Sequence, residues 1–295
     1  MVTNKIIQLN DVKKRFLSKP VLNGLSFEVY SGELIALLGC NGAGKTTTIN
    51  ILLGLEKPDE GHVSLFGYSP GDMQVKRQVG VTPQGTDFPE GLKVREVLAM
   101  VAAHYINPIP VETVIDRFYL SDIADQVTAG LSYGQKRRIA VALSFIGNPK
   151  LIFLDEPTTG LDVKSRHALW AVVKDYVSSG GTVVLTTHYL EEAENLASRV
   201  LVLDDGVIRA EGSVQDIISN SAMMSISFQA EQCPADLQYA VNVQKKEGRF
   251  FLETANSDKL IRELVHKQIN FQHLVVHESN LETAVLTMGH SGESQ

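Results

Sequence analysis

The sequence predicts an α/β protein built on a parallel core sheet, with an N-terminal antiparallel β region, an inserted helical subdomain and a small α+β C-terminal extension. Three observations predict it. An apolar strand, "ELIALLG", runs into the glycine-rich "GCNGAGKTTTINILLGL", a strand, loop and helix in that order. Two further apolar strands, "LIFLDE" and "TVVLTTH", are separated by a helical stretch around "SRHALWAVVKDYV", and strands that alternate with helices pair in parallel. Past Gly212 the texture changes to short alternating strands around an amphipathic helix, which sets off a second unit.

Taken in order, "KIIQLNDV" and "LNGLSFEV" are short apolar or alternating runs between polar turns, the pattern of antiparallel strands. The helix after the glycine loop carries Ile49, Ile51, Leu52 and Leu55 at helical spacing. Over residues 92–138 the pattern is helical, with "VREVLAMVAAHY" and "VETVIDRFYL" flanking the helix-breaking "INPIP", and this is the expected inserted subdomain. In the extension, "MSISFQ", a weak helix "ADLQYA", "VNVQKK" and "RFFLET" around the turn "EG", the helix "SDKLIRELVHKQ" and "INFQHLVVHE" follow a β-α-β-β-α-β, ferredoxin-like order. The expected division is a nucleotide-binding unit at 1–212 and an accessory unit at 220–295.

A net charge of −7, with 44% hydrophobic and 21% charged residues, argues against nucleic acid as a partner. Cys40 and Cys233 are the only cysteines, too few for a disulfide framework and consistent with a reducing cytoplasm. The opening "MVTNKIIQLNDVKKRF" lacks the apolar segment and cleavage site of a secretory signal. No run approaches the roughly 18 to 20 apolar residues of a membrane span, so any lipid-facing part is expected from a partner.

Gly39, Cys40, Asn41, Gly42, Ala43, Gly44, Lys45 and Thr46 match the phosphate-loop pattern, between a strand and a helix as that motif requires. Glycines let consecutive backbone N–H groups curl around phosphate oxygens, and the helix N-terminus adds its positive end. Lys45 reaches the terminal phosphates, the Thr46 hydroxyl ligates Mg²⁺, and Thr47 joins the binding set. Asp155 and Glu156 end "LIFLDE" at the carboxyl edge of the sheet, where nucleotide sites of α/β folds lie. Asp155 is expected to hold Mg²⁺ and Glu156 to orient or deprotonate the attacking water.

These residues, together with "LSYGQ" upstream of "LIFLDE", resemble the ATP-binding cassette family of transport ATPases. The resemblance covers residues 1 to about 212 in the family's order: phosphate loop, "TPQ" with Gln84, "LSYGQ", "LIFLDEP", "GLD" with Asp162 and "TTH" with His188. It implies a head-to-tail cassette dimer, homodimer or heterodimer, in which the "LSYGQ" turn of one chain covers ATP held by the phosphate loop of the other. It further implies that Ser132, the Gly134 N–H and Gln135 meet that γ-phosphate. Gln84 would contact Mg²⁺ or the lytic water, and His188 the γ-phosphate and the water of Glu156. Asp162 would lie at the dimer interface, and Phe16 would stack on adenine. The sequence departs from the family's commonest turn in having Tyr133 where a glycine is usual, while Ser132 and Gly134 are kept.

"GLDVKSRHALW", "TTHYLEEAE" and "NLETAVLTM" are similar to the ATPase subunits of bacterial drug, lipid and polysaccharide exporters of the ABC-2 type. Those subunits pair with a separately encoded multispan permease on the cytoplasmic face of the inner membrane. An importer subunit is the near alternative. A soluble non-transport ATPase is the more distant one; in this family it usually carries two tandem cassettes or a coiled-coil insertion, whereas this sequence has one phosphate loop and no sustained charged heptads.

Overall fold

The structure, a computed structural model, describes residues 4–82, 85, 87–221, 224–234, 236–246, 248–277 and 281. It divides the chain into two units, residues 1–211 and 212–295. The first unit opens with β1 (Lys5–Phe16) and β2 (Lys19–Tyr30), a long antiparallel hairpin, followed by β3 (Leu34–Leu38), α1 (Lys45–Leu52) and β4 (Glu60–Leu65). The chain continues through α2 (Met73–Lys76) and β5 (Val79–Val81) to the helices α3 (Val94–Ala102), α4 (Val111–Arg117) and α5 (Tyr133–Ile146). It returns through β6 (Leu151–Asp155), α6 (Val163–Ser178), β7 (Thr182–Thr186), α7 (Leu190–Leu196), β8 (Arg199–Asp204) and β9 (Val207–Gly212).

Two sheets result. One is antiparallel, in the order β2-β1-β4; the other has six strands in the order β5-β6-β7-β3-β8-β9, with parallel pairing of β3, β5, β6, β7 and β8. Side chains alternate across the larger sheet. Leu34, Ile152, Leu154, Val183 and Leu185 join one apolar core with α3, α4, α5 and α6. Ile35, Leu37, Leu151, Phe153, Val184, Leu201 and Leu203 join the other with α1 and the antiparallel sheet. Burial on both faces is why these strands read as unbroken apolar runs.

Two boundaries differ from the sequence expectation. The helical stretch does not stop near Arg138: α5 runs on to Ile146 because Ile139, Val141, Ala142, Phe145 and Ile146 are all buried. The helix after the phosphate loop stops at Leu52, and Leu55 is exposed. Gly54, at φ +71°, turns the chain back against Gly71, where a Cβ would come within 2.6 Å of the Gly71 nitrogen.

The second unit holds α8 (Val214–Ser221), β10 (Met224–Gln229), β11 (Asn242–Lys246), β12 (Arg249–Thr254), α9 (Ser257–His266) and β13 (Gln272–His277). Its antiparallel sheet is ordered β11-β12-β10-β13, so β12 lies between the two strands that precede it. Ile226, Phe228, Phe250 and Leu252 pack with Leu260 and Leu264 of α9. The expected helix at "ADLQYA" is absent among the described residues. Glu263 of α9 accepts from the N–H groups of Gln238 (2.8 Å) and Tyr239 (3.1 Å), which a helix would have used internally. Of "NLETAVLTM", only Leu281 lies within the described residues, and it is buried.

Candidate active site

Buried β3 delivers the chain to Gly39, and the loop closes at Gly44, the residue that caps α1. Gly44 has φ +107°, and a Cβ there would meet a Leu22 methyl at 2.7 Å and the Val21 carbonyl oxygen at 3.1 Å, so both backbone and space demand glycine. Gly42, at φ +88°, opens onto free space. Lys45 folds back over the loop, its Nζ donating to the carbonyls of Gly39 (2.7 Å) and Cys40 (3.0 Å). Burial holds its ammonium below the usual lysine range, partly opposed by the nearby charges of Glu156, Cys40 and Asp155. Asn41, Gly42, Gly44, Lys45, Thr46 and Thr47 line a cleft of about 480 Å³ whose far wall is Asp155, Glu156 and Thr159.

That wall is braced from the neighbouring strand. The Thr186 hydroxyl at the end of β7 donates to Asp155 Oδ1, and the Glu156 N–H donates to the Thr186 carbonyl at 2.9 Å. Glu156 has φ +48°, an uncommon conformation for a residue with a Cβ, and this turns its side chain out of the strand's alternation. Its Oε1 lies 3.2 Å from His188 Nδ1, and its Oε2 accepts from the Thr159 hydroxyl at 3.3 Å. His188 is exposed, with its ring 4.0 Å from that of Tyr189. A carboxylate, a lysine and loop N–H groups in one cleft, with a histidine against that carboxylate, can bind an anionic phosphate chain and take a proton from water beside it. The donor set fits Mg²⁺ as well, since the Thr46 hydroxyl and the Asp155 carboxylate, both oxygen ligands, line the same cleft.

The turn predicted to act in trans lies elsewhere. Ser132, Gly134 and Gln135 line a second cleft of about 970 Å³ together with Gly160, Asp162 and Lys164. Ser132 caps α5: its Oγ accepts from the Gln135 N–H at 3.2 Å, while Gln135 Oε1 accepts from the Ser132 N–H at 2.8 Å. Asp162 caps α6 in the same way, accepting from the Ser165 N–H at 2.7 Å, and that bond holds its carboxyl below the usual range. Among the residues of this turn, Tyr133 alone borders both clefts.

Phe16 is not brought to the phosphate-loop cleft. It sits at the end of β1 beside the hairpin tip, 44% exposed, with Lys14 Nζ 5.3 Å from its ring centre, and Lys19 and Val21 of the following strand border the cleft instead. Gln84 lies outside the described residues. Sequence reasoning missed Arg137, Thr159 and Thr186. For Arg137 a signal existed: it falls on the buried stripe of α5 with Val141 and Ser144, a charge where an apolar residue is expected.

The sequence model for "ABC transporter" matches residues 22–159. The Nod factor export ATP-binding protein I of Burkholderia lata is 41% identical over 225 residues, covering 72% of this chain and 73% of that protein. The chain belongs to the ABC transporter family. The protein of the same name from Ralstonia nicotianae is 38% identical to this ABC ATPase, covering 73% of it and 69% of the relative. Among solved structures, an ATP-binding subunit of an ABC transporter superposes with a TM-score of 0.67 at 30% identity, covering 73% of this chain and 92% of the other. A dimeric ATP-binding cassette in a post-hydrolysis state, bound to ADP and Pi, gives 0.64 at 25% identity, covering 70% and 98%. The fold is therefore the P-loop ABC cassette, and the chain is the ATP-binding, ATP-hydrolysing subunit of a transporter. Among the described residues, no helix is long and apolar enough to cross a membrane.

Proposed function

We propose that this ABC ATPase powers an exporter as a dimer of cassettes, held on the cytoplasmic face of the membrane by a separately encoded multispan permease. The observation that carries the dimer is the separation of the two clefts. Lys45, Asp155 and Glu156 share one, while Ser132, Gly134 and Asp162 line the other, so a second chain is needed to bring the Ser132 turn to a phosphate loop. Export is supported by the relatives, which are named for export of Nod factor.

In this reading Lys45 and the loop N–H groups bind the phosphate chain of ATP. Thr46 and Asp155 hold Mg²⁺, which neutralises phosphate charge when bound, with Gln84 as a further ligand. Glu156 takes the proton of the attacking water, His188 orients that carboxylate through its Nδ1, and the partner's "LSYGQ" turn closes over the γ-phosphate. Phe16, paired across the hairpin with the cleft-lining Lys19, would stack on adenine beyond the phosphates.

The test is purification of the tagged chain from native membranes in a mild detergent. A multispan protein should copurify, and cells lacking the ATPase should retain a compound that complemented cells release. Recovery of the chain without any membrane protein, or accumulation rather than release on complementation, would contradict the exporter reading.

A further inference from the structure

One buried side chain ties the helix of the Ser132 turn to the strand end that carries Asp155 and Glu156. Arg137 lies five residues beyond Ser132 on α5 and is 2% exposed. Its Nη2 donates to the carbonyl of Asp155 and, at 2.9 Å, to that of Glu156. The β5 ladder reaches only as far as Phe153, through Val81, so these two carbonyls lie beyond the strand that would otherwise pair on that side. Burying a guanidinium is costly unless its donors are used, and here Nη2 is spent on the main chain that carries both acidic residues of the site.

The same helix makes a second grip. The Tyr133 ring covers Gly160 so closely that a Cβ on Gly160 would lie 2.5 Å from Tyr133 Cδ1, and a Cβ on Gly134 would lie 2.9 Å from the Gly160 carbonyl oxygen. Between the two grips the Thr159 hydroxyl donates to Glu156 Oε2. Residues 155–160 are therefore held at both ends by the first turns of α5, and Glu156 sits inside that span in its left-handed conformation.

We propose that Arg137 is a positioning residue for ATP hydrolysis: by fixing the main chain of Asp155 and Glu156 it holds the Glu156 carboxylate against His188 and Thr159. It does so from the helix whose N-terminal turn meets the partner's nucleotide. Contact at Ser132 and carboxylate geometry in the same chain therefore move together. This rests on the dimeric ATPase reading above. Arg137 also borders the phosphate-loop cleft, so the space vacated by its truncation is open to a small cation.

Arg137→Ala and Arg137→Lys test it, each alone and combined with Glu156→Gln. Misplacing a reacting group by about 1 Å costs roughly 10²-fold, so Arg137→Ala should lower kcat by about that factor while KM stays within about threefold. Arg137→Lys, which keeps the charge but not the planar fork, should fall between Ala and wild type. Millimolar guanidinium should restore part of the Arg137→Ala rate, whereas a merely structural lesion would not respond to it, since denaturation needs molar concentrations. The Arg137→Ala/Glu156→Gln chain should still form an ATP-trapped dimer. An unchanged kcat in Arg137→Ala overturns the proposal, as does a lost rate that guanidinium does not raise or that comes with lost ATP binding. If wild type failed to hydrolyse ATP, or Glu156→Gln alone failed to dimerise, the dimeric ATPase reading itself would fall.

Discussion

Glu192, in the first turn of α7, is fully buried, with Trp170 Nε1 donating to its Oε1 at 3.2 Å. Burial pushes its carboxyl above the ordinary value of 4.5, although the Trp170 bond and the charge of Arg166 pull the other way. The sign follows from proton counts. As pH rises past 4.5 the unfolded chain gives up this proton while the native chain keeps it, so stability contributed by the neutral acid is present below 4.5 and lost as pH climbs through the native value. Glu192→Gln keeps the acceptor for Trp170 without the charge. Its melting temperature should match wild type below about pH 4.5 and exceed it increasingly toward neutrality, by about 2–4 °C for each kcal/mol recovered. An equal or lower Tm for the variant at pH 8 would contradict the burial argument. The same scale shows where sequence reading stops. Lys45, Asp155, Glu156 and His188 were legible because short motifs announce them, and the structure brings them together in one cleft or beside it. Phe16 follows from resemblance alone; it does not line the phosphate-loop cleft, while its cross-strand partner Lys19 does.

The strands of the six-stranded sheet are legible because burial on both faces leaves apolar runs, and the phosphate-loop helix because its glycines have no other use. Helix α5 was harder to read. Its first half is basic, and the buried positions that extend it to Ile146 depend on partners distant in the chain, such as Phe118 and Tyr176 against Phe145. "ADLQYA" fails as a helix for a like reason, since Glu263, more than twenty residues away, binds its turn in place. The N-terminus of α5 also has two separable tasks, capping its own helix and facing a nucleotide in trans. Ser132→Ala should cost about 1 kcal/mol through the lost cap. Ser132→Asp keeps a good cap but sets a carboxylate where a phosphate would arrive. It should melt near wild type, bind ATP normally as a monomer, and lose most of its hydrolysis. Full activity in Ser132→Asp would remove this turn from the composite site.

For the whole molecule, the central claim is that two copies of this 32.3 kDa chain close over ATP, because each carries only part of a site in either cleft. A mixed dimer of Ser132→Asp and Lys45→Ala chains gathers both lesions in one composite site and leaves the other intact, so hydrolysis should reappear from two inactive parents if the sites work independently. The most direct measurement is the mass of the Glu156→Gln chain by light scattering, with and without Mg-ATP. The substitution keeps the shape of the cleft and removes the group that takes the proton, so ATP should persist and hold the closed state. The account predicts a monomer without nucleotide, a dimer with Mg-ATP, and a return to monomer when Ser132→Asp or Lys45→Ala is added. A Glu156→Gln chain that binds Mg-ATP yet stays monomeric, or that hydrolyses it at the wild-type rate, would contradict it.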